Sequence, residues 1–452
     1  MKIEEMEYNE HEAALRTLIQ KGDPVDFQDL FLSLHPGEQA DHFIELDQHE
    51  RAFVYRTISP EVFTDLFEKL TLEEQCTFIQ ETPQPYAVRI LNEMYSDNAA
   101  DLMRELPDAF MDTLFEQMDD IEEQEVKDLM QYPEETAGSL MTTEFVVLQA
   151  DKTVGQTLAE LRELGPDAET IYYLYVVDQA HQLVGVVSLR DLIVAPLEAK
   201  IEDIMGFRVI SANVMTDQED LARIVQKYDL LALPVIDDQQ KLLGIITVDD
   251  VLDVIERETT EDFEELSATK GSSDINMSPF EAAKKRAPWI VSLMFLGMIT
   301  ASTIGGFEDT LETIVLLAVF MPLVMGSAGN AATQSLVVAV RSIALGTINR
   351  KNVMKMIRRE LGTGIILGIA CMIVIFGVIT ILYDNMLIGF IVGVSIFAAL
   401  SVATMIGTIV PLLINRLKLD PAVASGPFIT TLMDNLGLII YFTVATSMLQ
   451  FL

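Results

Sequence analysis

Lys284-Lys285-Arg286-Ala287-Pro288-Trp289-Ile290-Val291-Ser292-Leu293-Met294-Phe295-Leu296-Gly297-Met298-Ile299 is the stretch at which the chain changes solvent. Three bases give way to an apolar run, and composition differs on the two sides. Residues 1–285 carry 62 Asp and Glu against 21 Lys and Arg, a net of −41. Residues 286–452 carry 7 acids against 9 bases, a net of +2. The C-terminal part holds five apolar stretches, at about 288–306, 313–339, 361–383, 386–414 and 421–450, each long enough to cross about 30 Å of hydrocarbon. Lys284, Lys285 and Arg286 precede the first; Arg341, Arg350, Lys351, Lys355, Arg358 and Arg359 lie between the second and third; Arg416 and Lys418 lie between the fourth and fifth. The alternate connections, Phe307 to Glu312 and Asp384-Asn385, carry no base. Positive loops stay on the cytoplasmic side, so the acidic body is expected in the cytosol and the C-terminus outside the cell membrane.

The acidity argues against nucleic acid as a partner, because phosphate binding needs a face rich in Lys and Arg. Cys76 and Cys371 are the two cysteines, too few for a disulfide framework or a thiolate metal cluster. Met1 to Glu10 is acidic and lacks the apolar core of a signal peptide. No HExxH, Gly-x-Ser-x-Gly or phosphate-binding loop occurs, so an enzyme is not expected.

Two repeats organise the acidic body. Leu34, Leu46, Ile58, Leu70, Thr82, Met94, Leu106 and Met118 are spaced twelve residues apart. Several are followed by helix-start chemistry, such as Thr71 with Glu74 three residues on. Units this small must stack to bury their apolar faces, which predicts an all-α superhelical domain over 1–135. Farther on, Leu183-Val184-Gly185-Val186-Val187-Ser188-Leu189-Arg190-Asp191 recurs 59 residues later as Leu242-Leu243-Gly244-Ile245-Ile246-Thr247-Val248-Asp249-Asp250. Each copy reads strand, turn, strand, hydroxyl cap, helix. The duplication over 138–256 resembles a tandem pair of α/β CBS (cystathionine β-synthase) domains. In such pairs the Ser/Thr and Asp often hold an adenosine ribose, which nominates Ser188, Asp191, Thr247 and Asp250 for a nucleotide such as ATP. Residues 257–285 read as a linking helix and connector, and 286–452 as an α-helical transmembrane domain with five spans.

One carboxylate lies well inside a span, Asp434, and no Lys or Arg matches its depth. An ionised group there should face water or a partner rather than lipid. The second span adds Met321-Pro322, which can break its helix, and Gly326 to Ser335, where Asn330 and Gln334 share a face. Asp420-Pro421 opens the fifth span. Carboxylates and amides without a histidine or thiolate cluster suit Mg²⁺ or Ca²⁺. This chemistry leaves Mn²⁺ and Co²⁺ open.

The Pro322…Gly329-Asn330…Gln334-Ser335 and Asp420-Pro421-Ala422…Pro427…Thr431…Asp434 runs, in this order of domains, resemble the MgtE family of magnesium channels and transporters. The resemblance implies a homodimer in the bilayer, with a pore between subunits lined by the second and fifth spans: Pro322, Gly326, Gly329, Asn330, Gln334, Gly426 and Thr430. It assigns Asp434 to ion selection and Asp420 to the cytoplasmic mouth. It also implies regulatory Mg²⁺ held by Asp97, Asp101, Asp229, Asp250, Asp253, Glu258, Glu261 and Asp262, with the carbonyl of Gly138. Ala328 and Gly426 depart from the family pattern, where many members have glycine and some have asparagine.

Mg²⁺ would then enter down its electrochemical gradient and close its own channel by bridging clustered acids. Two readings compete: a divalent exporter or exchanger for Co²⁺ or Mn²⁺, and a transporter gated by ATP through the CBS pair.

Overall fold

The computed structural model describes residues 2–272, 277–346, 348, 350–418, 420 and 424–448. The chain forms two compact units, residues 1–255 and 256–452.

In the first unit, helices begin at Pro36, Gln48, Pro60, Leu72, Gln84, Ser96, Asp108 and Asp120, one every twelve residues. The repeat residues from Leu34 to Met118 sit in the turns between them and are buried. Side-chain caps set several starts: Asp47 accepts from the Glu50 backbone N–H while Glu50 reaches back to Asp47, and Thr71 and Glu74 do the same. The core is aromatic, with Phe43 set against Phe63 and Phe78 at ring separations of 5.1 and 5.2 Å. Each such phenylalanine contributes roughly 1.5–3 kcal/mol by leaving water. Buried Gln75 donates to the carbonyls of Phe67 and Leu70, satisfying the end of the helix before its own.

Two three-stranded sheets follow. β1 (Phe145–Gln149) pairs parallel to β2 (Thr170–Val177), and β2 antiparallel to β3 (Leu183–Ser188). β4 (Ala212–Asn213), β5 (Ala232–Ile236) and β6 (Leu242–Thr247) repeat the pattern. The registers coincide as well: Val176 faces Gly185, and Val235 faces Gly244. Each motif glycine answers a close approach, since a Cβ on Gly185 would stand 2.5 Å from Met205 Sδ and one on Gly244 2.7 Å from the Thr142 carbonyl. Tyr175, Val177, Ile236 and Ile245 form the core between the copies. A 20-residue helix, Val248–Ser267, leaves the second copy.

Among the described residues of the second unit, five helices are long and apolar enough to cross a membrane: Pro279–Gly305, Leu316–Ala344, Arg350–Tyr383, Met386–Arg416 and Gly426–Met448. The first starts earlier than the hydropathy suggests because Ser278 and Glu281 form a capping box ahead of it. The third carries the basic connection Lys355 to Arg359 as helix. Pro322 does not break the second span. It lies inside the helix, where it removes the hydrogen bond to the Ala318 carbonyl, and the helix nevertheless runs on to Ala344. The fifth helix begins at Gly426, and Asp420 stands in the preceding coil rather than at its start; Pro421 and Ala422 lie outside the described residues.

Small residues let these helices meet. A Cβ on Gly407 of the fourth span would stand 2.1 Å from the Ala332 carbonyl of the second, and one on Gly368 of the third 2.9 Å from the Phe397 carbonyl. Such contacts replace the hydrophobic drive that lipid cannot supply. Ala328 is fully buried with its methyl toward Gly437, so the alanine is accommodated by a glycine on the facing helix.

Candidate pore and acidic metal centres

A cavity of about 990 Å³ lies between the second and fifth spans and the end of the linking helix. Asn330, Thr333, Gln334, Gly426, Pro427 and Thr430 are among its walls, with Leu266 and Ser267 at the linking helix. Thr333 and Thr430 join across it at 3.2 Å. Of the sequence-predicted pore residues the cavity gathers Asn330, Gln334, Gly426 and Thr430. Pro322 and Gly326 line no part of it, but they are exposed on the same face of the second span as Asn330 and Gln334, four residues apart. Gly329 is buried against the fifth span. Gly426 lies beneath the linking helix, where a Cβ would stand 3.3 Å from the Leu266 carbonyl.

Asp434 is half-buried on the fifth span, behind Gly329. Among the described residues no hydrogen-bond donor or base meets its carboxylate. Next to it, Asn435 accepts a 2.8 Å bond from Thr303 of the first span, which fixes this turn of the helix. Near the other end of the second span, buried Ser335 donates to Glu360 of the third at 2.9 Å, and Arg359 pairs with the same carboxylate. Glu360 is the buried membrane-domain acid that span counting placed just outside.

A carboxyl cluster stands where the linking helix approaches Asp420. Burial and the Asp420 carboxylate raise Asp262, with Arg341 opposing. Glu265 is also raised by burial, with Lys270 opposing and the Asp420 carboxyl adding to the rise. Lys270 pairs with Glu261 and Glu265. The sequence motif named Asp420, Glu261 and Asp262; it missed Glu265, one turn after Glu261. Glu258 lies one turn before Asp262 on this helix.

Within the first unit, Asp97 is 6% exposed, and its Oδ1 has no hydrogen-bond partner. Burial raises it well above the usual carboxylate range, and Asp250 and Glu169 add to the effect. Glu169, Asp249 and Asp250 place carboxylate oxygens within 4.8 Å of one another. Burial and then Asp250 push Glu169 up to about 8. Burial pushes Asp250 up to about 6, against the hydrogen bonds from Thr247. Glu169 Oε2 is a second buried oxygen with no partner. Ser96 donates to Glu144 from its backbone N–H at 3.1 Å and its hydroxyl at 3.0 Å, and Glu144 closes a second group with Glu122 and Glu125.

Two orphaned carboxylate oxygens beside a part-buried, all-acid donor set fit a hard divalent cation, which would supply the missing positive charge. Of the predicted ligands, Asp97 and Asp250 meet here, and Asp253 lies close enough to raise Asp250. Asp101, four residues from Asp97, bonds Arg104 at 2.7 Å. Asp229 is exposed at a helix end with φ of 52°. Gly138 is buried, packed against Tyr132 and Val214. The first motif copy keeps Ser188 and Asp191 bonded at 2.6 Å on the surface. In the second, Thr247 is buried and bonded to Asp250 inside the acidic cluster, surroundings that repel a phosphate.

The family model described as a divalent cation transporter, MgtE, matches residues 321–444. The MgtE intracellular N domain matches 34–135, and CBS domains match 137–198 and 201–257. The chain is similar to the magnesium transporter MgtE of Bacillus subtilis, 38% identical over 448 residues and 99% of each chain. It is likewise similar to that of Enterococcus faecalis, 41% identical over 450 residues and 99% of each chain. Among solved structures, the soluble part of a magnesium transporter is 42% identical with a TM-score of 0.54, covering 56% of this chain and 99% of that one. The cytosolic domain of the Mg²⁺ channel MgtE in complex with ATP is 37% identical with a TM-score of 0.52, covering 54% and 99%.

Proposed function

The chain belongs to the MgtE family, and on that premise we propose a Mg²⁺ channel that the ion itself closes from the cytosol. It is a multi-pass membrane protein with its N-terminal domains in the cytosol, and its positive loops support a C-terminus on the outer side. Entry needs no ATP, because two charges crossing 100 mV gain about 4.6 kcal/mol.

The observation that carries this reading is Asp434, a carboxylate in the membrane domain with no donor or base beside it among the described residues, close to a cavity lined by amides and hydroxyls. Mg²⁺ sheds water reluctantly, so one carboxylate with amides around a hydrated ion is a suitable selective site. The pore is completed by a second copy of the chain. Supporting this, Asn330 and Gln334 lie on the open face of a membrane helix, and amides facing lipid would be costly.

Regulation belongs to the acidic centres. In the first unit, Mg²⁺ would be held by Asp97, Asp250, Glu169 and Asp249, joining the N domain to the CBS pair. Around Asp420, it would bridge Asp262 and Glu265 of the linking helix. Without the cation these carboxylates repel or retain protons; with it, the compact arrangement gains charge compensation. Moving a gate from mostly open to mostly closed takes about 5.5 kcal/mol, which several weak sites supply together. ATP is a further ligand, supported by the relative crystallised with it, and Ser188 and Asp191 are the hydroxyl and acid placed for its ribose.

The test is Mg²⁺ uptake into proteoliposomes by wild type and Asp434→Ala. Uptake that disappears in the variant, with folding intact, supports the pore assignment; unchanged uptake with unchanged preference over Ca²⁺ refutes it.

A further inference from the structure

Away from the pore and the acidic centres, a cleft of about 670 Å³ opens between the cytoplasmic ends of the third and fourth spans. Val353 and Ile357 form one wall and Ile409 and Leu412 the other, while Asn415 and Arg416 stand at the end of the fourth helix. The volume falls within the roughly 300–1,000 Å³ usual for ligand pockets. No acid lines it. Arg416 is exposed and, among the described residues, pairs with no carboxylate. Arg359, by contrast, is already neutralised by Glu360. An aliphatic slot ending in an unpaired guanidinium therefore lies at the basic boundary of the membrane.

That pattern has amphiphile complementarity, apolar along its length and cationic at its water-facing end. We propose that the cleft binds an anionic phospholipid of the cytoplasmic leaflet. One acyl chain lies along Val353, Ile357, Ile409 and Leu412. The phosphate meets the Arg416 guanidinium, whose fork accommodates two phosphate oxygens, and the Asn415 amide adds a donor. Basic pockets between membrane helices on this side are recognised sites for anionic headgroups. A zwitterionic lipid offers the same chains and phosphate, but its ammonium cancels the net charge, so selectivity rests on Arg416.

The experiment is native mass spectrometry of the full-length chain in detergent, titrated with phosphatidylglycerol or with phosphatidylcholine of identical chains. Wild type is expected to take up one phosphatidylglycerol per chain at several-fold lower concentration than phosphatidylcholine. Arg416→Gln should lose that preference and Arg416→Lys should keep most of it, which separates charge from folding damage. Leu412→Trp, which fills the slot, should weaken both lipids together. Equal binding of the two lipids by wild type, or a preference that survives Arg416→Gln, would overturn the proposal. So would lipid-free protein whose association between copies is lost on Arg416→Glu, since the cleft would then be a contact between chains.

Discussion

Gly329 on the second span and Asp434 on the fifth are in direct apposition: a Cβ built on Gly329 would stand 3.7 Å from Asp434 Oδ1 and 2.8 Å from Thr430 Cγ2. The absence of a side chain at 329 lets the second and fifth spans approach and sets where the carboxylate sits.

Gly329→Ala should therefore displace the fifth span, since overpacking of this kind costs about 1–3 kcal/mol. Mg²⁺ uptake is expected to fall several-fold while the protein still folds. Gly377→Ala is the matched control, because a Cβ there meets nothing within 4 Å, and its uptake should equal wild type.

Asp97→Asn removes a buried charge from an acid cluster. Without Mg²⁺ the soluble body should melt higher than wild type. Its stabilisation by Mg²⁺ should shrink to a fraction of the wild-type shift. Differential scanning calorimetry in chelator and in millimolar Mg²⁺ reads both effects, and a full Mg²⁺ shift in the variant would contradict the assignment.

Glu169 is raised from 4.5 to about 8 and Asp250 from 3.8 to about 6. Between those limits the folded body keeps protons that the unfolded chain has lost, so the unfolded state binds fewer and stability falls as pH rises. The metal-free body is expected to melt lower at about pH 8 than at about pH 5.5, and Mg²⁺ should raise melting more at the higher pH, where it displaces fewer protons. Melting curves at several pH values, with and without Mg²⁺, check the sign.

At the linking helix, Asp262→Asn combined with Glu265→Gln removes both the repulsion around Asp420 and the ligands for a bridging cation. The ratio of uptake at low to high cytosolic Mg²⁺ should fall toward one. Lys270→Ala should leave a large ratio, because Lys270 pairs with acids without belonging to the bridge.

Local pattern carried much of the fold. The twelve-residue spacing reappears as helices starting every twelve residues from Pro36 to Asp120, because each start depends on nearby caps and one turn residue. The duplicated glycine motif reappears as two sheets in matching register. Pro322 sits inside a helix that packs along the fourth and fifth spans, so the loss of one backbone bond leaves it continuous. Among the proposed pore residues, Asp434, Asn330 and Gln334 are ones that a sequence motif holds. Glu169 and Glu144 carry no spacing signal; only tertiary packing brings them close enough to raise Asp97. Asp101 illustrates the converse, since four-residue spacing put it on the face of Asp97 but Arg104, three residues on, takes its carboxylate.

The most direct measurement is Mg²⁺ flux through single populations of proteoliposomes while cytosolic-side Mg²⁺ is varied from micromolar to above ten millimolar. Wild type should be run beside Asp434→Ala and a form lacking residues 1–256. The account predicts flux that falls as cytosolic Mg²⁺ rises, vanishes in Asp434→Ala, and loses its inhibition when the acidic body is removed. Wild-type flux indifferent to cytosolic Mg²⁺ would contradict it.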